Sequence, residues 1–279
     1  MPKKQIMFGI VALCCITYAV LVLSRYPSHE REWARDQQYL PQVSIEGDSV
    51  HIEYVRDFVY KSTSEFEERY VSRTVDVNDI VSIDYLVEPF GTWKGPAHTL
   101  VSFGFQTLSG TEYIAVSGEI RKELGESFSP LNGLLRQYEL MYVVGTEADL
   151  IGLRTNHRKD NVYLYPIRTT PEHMKQMFLS MMTRVQGIAT TPEFYNTVTN
   201  NCTSNIRSHV NEIMPGRVPW SFSMILPASS DRRVYGLGLI DTDLSFEEAK
   251  EHFFITDVAN TWEDGQDFST LIRSQREDS

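Results

Sequence analysis

Residues 6–23 (IMFGIVALCCITYAVLVL) run without a charge, and no other feature constrains the architecture of this chain as strongly. Such a run approaches the length needed to cross a hydrocarbon core of about 30 Å. Lys3 and Lys4 precede it and only Arg25 follows closely, a balance that favours a cytoplasmic N-terminus. A cleaved signal peptide has a shorter apolar region that ends in a small-residue site. Here the run leaves through Val22-Leu23-Ser24-Arg25-Tyr26, which offers no such site. The reading is an uncleaved anchor. Residues 1–25 form a cytoplasmic stub and one membrane span, and residues 26–42, polar and holding Pro27 and Pro41, form a juxtamembrane linker. Residues 43–275 form one extracytoplasmic domain.

That domain is acidic. The chain carries a net charge of −11, and no stripe of Lys and Arg gathers anywhere, so a nucleic-acid partner is not expected. The one basic cluster, Arg154, His157, Arg158 and Lys159, reads as a solvated loop. With 42% hydrophobic residues a real core can form.

Patterning along the domain places strands first and helices later. Val43–Tyr60 holds two β-rich runs around Gly47-Asp48, a hairpin signal, followed by a charged and irregular stretch over 61–80. Residues 80–88 predict another strand. A second hairpin pairs residues 99–105 with 113–120 around Leu108-Ser109-Gly110, and 137–145 and 162–168 add strands. Thr170 followed by Pro171 opens a helix whose stripe Met174, Met177, Phe178, Met181, Val185 and Ile188 has helical spacing and reads as core. A further helix starts near Asn201, and the tail from Leu244 holds a short acidic helix before a polar, frayed end. Strands followed by helices, without strict alternation, predict an α+β domain.

Cysteine count narrows the chemistry. Cys14 and Cys15 lie in the anchor, so the domain has a single thiol, Cys202, and no disulfide of its own. Ile206, Val210 and Ile213 share a helical face, so the helix begins at Asn200 or Asn201, either of which can cap it. Cys202 then occupies the first turn, where free N–H groups and the positive dipole end favour an anion. The bland alternative is a buried, inert cysteine.

A thiolate enzyme needs a base. His29 falls in the linker, His157, His173 and His252 sit among charges, and His51 lies inside the first hairpin. His209 shares the helix of Cys202 but sits about 10 Å along the axis, too far for contact. His98 opens the strongest strand, at the sheet end that faces a helix start. Matching the apolar faces of the second hairpin (Val101, Phe103, Phe105 with Ile114, Val116, Ile120) puts Glu119 on the side of His98, opposite it or one pair away. A carboxylate there can orient the imidazole, with Ser117 as the next candidate on that face.

With those residues in view the chain resembles a known family. Ala97-His98-Thr99-Leu100-Val101-Ser102-Phe103-Gly104-Phe105, Ser117-Gly118-Glu119-Ile120-Arg121-Lys122-Glu123, Arg136-Gln137-Tyr138-Glu139-Leu140, Val162-Tyr163-Leu164-Tyr165-Pro166 and Asn200-Asn201-Cys202-Thr203 look like the Lnb-type N-terminal periplasmic domain family, over roughly residues 33–275. The resemblance implies a bacterial envelope location, a role in N-acylating lipoproteins, and kinship to permuted NlpC-type thiol enzymes, including the lecithin:retinol acyltransferase group. It therefore implies a papain-like α+β domain, an antiparallel sheet packed on helices, with His98 and Cys202 as the catalytic pair. Acyltransferases associated with the name continue into a multi-span membrane region. This chain ends after the soluble domain, which leaves its acceptor open and allows for a separate membrane partner protein.

The expected function is a thiol acyltransferase or acyl hydrolase of the cytoplasmic membrane, acting outside the cytoplasm on lipoprotein or phospholipid acyl groups. Cys202 is the nucleophile, His98 the base and Glu119 its orienter. Asn201 and Thr203 at the helix start, with Arg136 and Tyr138 from the matched motif, are the substrate and oxyanion candidates. This chemistry calls for no metal and no cofactor. The alternatives are a peptidoglycan amidase or endopeptidase with the same thiol, and a non-catalytic envelope-binding module.

Overall fold

A computed structural model describes residues 3–91, 95–263 and 265–276. The apolar run lies in α1 (Lys3–Leu23), a helix long and apolar enough to cross a membrane and with no buried residue. The domain opens with β1 (Gln42–Glu46) and β2 (Ser49–Arg56), the first expected hairpin, turning at Gly47-Asp48. β3 (Val59–Tyr60) ends the β-rich run, and the stretch over 61–80 expected to be irregular instead holds β4 (Phe66–Glu67) and β5 (Tyr70–Asp76). β5 pairs with β2 across a bulge after Ile52, so its alternation is broken where a sequence pattern would have to be read.

The central strands follow: β6 (Ile80–Pro89), β7 (Ala97–Thr107), β8 (Gly110–Arg121), then α2 (Pro130–Leu134) and β9 (Glu139–Gly145). After α3 (Glu147–Gly152) and a π-helical turn (Leu153–Arg158) come β10 (Tyr163–Pro166), α4 (Pro171–Thr190) and α5 (Cys202–Ile213). The chain finishes with α6 (Ser230–Gly236), α7 (Phe246–His252), α8 (Thr256–Ala259) and α9 (Phe268–Leu271).

The main sheet has eight strands in the order β1-β2-β9-β8-β7-β6-β10, with β5 on β2. Every ladder is antiparallel except a single rung, Arg56 to Gly145. One face of β7 and β8 (Val101, Phe103, Phe105, Ile114, Val116) packs under the buried stripe of α4 and under α5. Each such apolar side chain removed from water contributes about 1.5–3 kcal/mol. The other face (Leu100, Ala115) packs against Leu150 and Ile151 of α3 and against the C-terminal helices. Both faces are covered, so β7 is buried from Ala97 through Phe105.

Two expectations need revision. The segment read as a linker is docked: Trp33 bridges to Glu123, Ala34 N–H donates to Lys122 O, and Arg121 donates to the carbonyls of Gln37 and Gln38. These contacts join the segment to a strand end remote in sequence and are invisible to local composition. The C-terminal end is not frayed over its described residues. Ile272 is buried, and Arg273 ties the buried carboxylates Asp84 and Glu147 together at 2.7 and 2.6 Å.

The feature that makes a site is a split. β7 and β8 are in register from Thr107 opposite Gly110 to Val101 opposite Val116, and their pairing stops there. Beyond that point β7 stays with β6 as far as Ala97, and β8 stays with β9 as far as Arg121. The sheet forks, with His98 on one prong and Gly118-Glu119 on the other.

Candidate active site

The start of α5 closes over the fork. Asn201 is its N-cap, in a full capping box with Ser204: Asn201 Oδ1 accepts from Ser204 N–H, and Ser204 Oγ accepts from Asn201 N–H, both at 2.8 Å. Asn201 Nδ2 also donates to the carbonyls of Thr197 and Met224. Its side chain is therefore fully committed to holding the helix start and has no group left for an oxyanion. The N–H groups of Cys202 and Thr203 carry no hydrogen bond among the described residues. Cys202 lies on the second prong, where a Cβ built on Gly118 would stand 3.8 Å from its Cα. Thr203 Oγ1 bonds Thr99 Oγ1 of the first prong at 3.0 Å and lies 3.7 Å from the sulfur.

His98, Glu119 and Cys202 line one cavity of about 320 Å³ at the fork, together with Phe128, Arg158 and Tyr195. His98 Nε2 is 2.6 Å from Ser117 Oγ, and Ser117 donates to Glu119 Oε1 at 2.9 Å. Glu119 Oε1 is itself 3.6 Å from Nε2. The hydrogen count assigns the tautomer. Ser117 has one proton and gives it to a carboxylate that can only accept, so the hydrogen shared with His98 sits on Nε2. Nδ1 then carries the lone pair of a neutral ring, and among the described residues nothing is bonded to it.

Electrostatics hold that state. Burial, then Arg154, push His98 down to about 3, with Glu119 opposing. Burial alone would raise Glu119, but Arg154, His98 and Arg56 outweigh it and keep its carboxyl below the ordinary carboxylate range. Arg154 is the buried centre of this arrangement, 3.0 Å from Glu119 Oε1 and 2.7 Å from Glu88 Oε2. Burial pushes Glu88 up to about 7 against Arg154 and Arg158. The expectation that Arg154 sits on a solvated loop is thus corrected. It lies on the inward side of the π-helical turn after Leu150 and Ile151, and that helical spacing is the signal that could have found it.

Arg136 and Tyr138 lie elsewhere. Arg136 adopts φ 53°, packs on Phe194 and donates to Val22 O of α1. Tyr138 is buried, with its hydroxyl donating to Ser127 O and accepting from Ser129 N–H. Both shape the loop beside the cavity and neither lines it. Among the described residues no group of three or more His, Cys, Asp or Glu converges as a metal set would.

The family described as the Lnb N-terminal periplasmic domain matches residues 66–228, a stretch that includes Glu88, His98, Ser117, Glu119, Arg154 and Cys202. No curated protein and no solved structure matches the chain.

Proposed function

The chain belongs to the Lnb N-terminal periplasmic domain family, and from that premise we propose that it is a membrane-anchored thiol acyltransferase or acyl hydrolase with a papain-like active site. The observation that carries this reading is the fork, where the one thiol of the domain and a histidine with a bare Nδ1 line the same cavity.

In acylation the Cys202 thiol gives its proton to His98 Nδ1, and the sulfur attacks an ester carbonyl carbon. The C–S bond forms as the carbonyl electrons move to oxygen, where the N–H groups of Cys202 and Thr203 are free to donate. The intermediate collapses, the ester C–O bond breaks, and the leaving alkoxide takes the proton back from Nδ1. A thioester and a lyso-lipid alcohol remain. In deacylation an amine or water gives its proton to Nδ1 and attacks the thioester. The sulfur then leaves and recovers the proton. Glu119 acts through Ser117, balancing the charge of the imidazolium.

Two features favour an acyl substrate over a muropeptide. An apolar cavity of about 100 Å³ lies along α5 from Thr203 past Ile206 and Val210 to Met177 of α4, on the sheet face that α5 covers. Arg158 and Lys122 at the rim of the fork suit the phosphodiester of a phospholipid donor. The anchor fits a single-pass protein with its domain in the periplasm, and insertion in the cytoplasmic membrane with the N-terminus inside completes the proposal.

Incubating the full chain with phospholipid vesicles and no acceptor should add the mass of one acyl chain, removable by neutral hydroxylamine and absent in Cys202→Ala. An adduct that persists in Cys202→Ala sits on Cys14 or Cys15 and overturns the mechanism. An adduct formed only with muropeptides makes the protein a peptidoglycan enzyme, and none with either leaves a binding module.

A further inference from the structure

The anchor does more than tether. Tyr18, five residues before the end of α1, donates to Leu134 O at 3.3 Å, Arg136 donates to Val22 O at 3.3 Å, and Arg25 donates to Leu135 O and Gln137 Oε1 at 2.9 and 2.8 Å. At 1.5 Å per residue, Tyr18 lies about 7 Å inside the end of the helix. A span of 21 residues is no longer than a bilayer core requires, so that depth falls below the membrane surface. The loop around α2 is held at the same depth.

The side chains there fit such a place. Leu124, Phe128 and Leu131 are 70%, 43% and 63% exposed, a density of bare apolar surface that a water-facing loop would not carry. Phe128 lines the cavity and stacks edge-on to Phe90 of the opposite side, with ring centres 6.3 Å apart. That opposite side has its own bare residues. Trp220, Phe222 and Leu226 are exposed, and they sit beside the fork because Ala228 N–H bonds Gly95 O and Asn201 Nδ2 bonds Met224 O. α2 is keyed into the segment leading to Cys202: Thr197 Oγ1 donates to Pro130 O, and a Cβ at Gly133 would collide with Thr197.

We infer that these two apolar lips are sunk in the lipid bilayer, so that the cavity of the fork opens into the membrane rather than into water. The occupant is membrane lipid, because the first lip is continuous with the contact that α1 makes with the bilayer. The far end of the sheet, the β7–β8 turn with its exposed Leu108, is some 30 Å away along strands that rise about 3.3 Å per residue, and it points into the aqueous phase. This orientation does not depend on the thiol chemistry.

The test uses the full chain in liposomes containing a phospholipid with a diazirine in its acyl chain, irradiated and mapped by peptide mass spectrometry. Adducts should appear in 124–135 and 220–226 as well as in α1, and not in 107–110. Leu131→Glu, at an exposed position where folding is little affected, should lower the labelling of 124–135 several-fold and leave α1 labelling unchanged. Labelling confined to α1, or equal labelling of 107–110 and 124–135, would overturn the inference.

Discussion

His98 and His209 stand in nearly the same surroundings. Each is buried, each lies within 2.7 Å of a serine hydroxyl, and each serine donates onward to a glutamate, Ser117 to Glu119 at 2.9 Å and Ser180 to Glu212 at 2.6 Å. Burial lowers both rings, to about 3 and about 4. The difference lies at the other nitrogen. By the same hydrogen count His209 gives its Nδ1 proton to Ser180, and its Nε2 accepts from Tyr142 O–H at 3.0 Å, so both nitrogens are satisfied. His98 has no such cap, and it shares its cavity with a thiol. A His–Ser–Glu relay is therefore not a site by itself. It becomes one where a basic nitrogen is left unpaired against a nucleophile.

The hardest blow to this contrast comes from removing each ring. His98→Ala should slow acyl-enzyme formation by about 10²–10⁴-fold, the usual contribution of a general base. His209→Ala should leave that rate unchanged per folded molecule. It should cost about 1–3 kcal/mol of stability, because Tyr142 and Ser180 lose their buried partner. Single-turnover labelling beside denaturant unfolding separates the two, and equal loss of activity in both variants would erase the distinction.

Arg154 supports only the first relay. Arg154→Met strands Glu88 and Glu119 as buried carboxylates and should destabilise the protein by about 3–5 kcal/mol, measured by unfolding in nanodiscs. Stability near wild type would mean that these carboxylates are already protonated.

The glutamates sharpen the comparison further. Glu119→Gln keeps the shape but removes charge from a hydrogen-bonded chain worth about 1.5–3 kcal/mol, so acylation should slow about 10–100-fold. Glu212→Gln, at the solvent end of its relay, should change neither rate nor stability by more than about 0.5 kcal/mol. If Glu119→Gln matches wild type in single-turnover assays, Ser117 alone orients the ring.

The two rings also set a pH dependence. Each histidine binds a proton near 6.5 when unfolded and only near 3 or 4 when folded, so below 6.5 the unfolded state holds more protons. Their share of stability is complete above pH 6.5 and is lost as pH falls toward 4 and then 3, with a slope of at most about 1.4 kcal/mol per unit for each ring. His209→Ala should flatten that decline by one proton's worth between pH 6.5 and 4. An unchanged slope would show that the ring is protonated in the native state.

Local signals were read correctly where the physics is local. Thr170 and Asn201 cap α4 and α5 because a cap is a bond over two or three residues, and the β-rich runs on either side of Leu108-Ser109-Gly110 mark β7 and β8 because a hairpin turn is equally local. Face-matching also put Glu119 beside His98. What was not legible depends on partners distant in sequence. The fork is the end of a ladder, Arg154 meets Glu119 and Glu88 across 35 and 66 positions, and the segment before β1 is ordered by bonds to the end of β8. The sequence offers Asn201 as an oxyanion candidate, but its side chain is fully used in capping α5 and bonding Thr197 O and Met224 O.

The fork also bears on how such a domain reaches its compartment. A chain delivered across a membrane as an unfolded thread carries Cys202 with no base beside it and no ordered helix start around it. The two prongs that bring His98 and Gly118 to the thiol exist only once β7 has paired with β6, β8 with β9, and α5 has docked across both. Nucleophile, base and relay therefore come together only in the folded domain and in no local segment of it. In an unfolded chain the thiol is no more reactive than any other, and the chemistry proposed for it waits on folding.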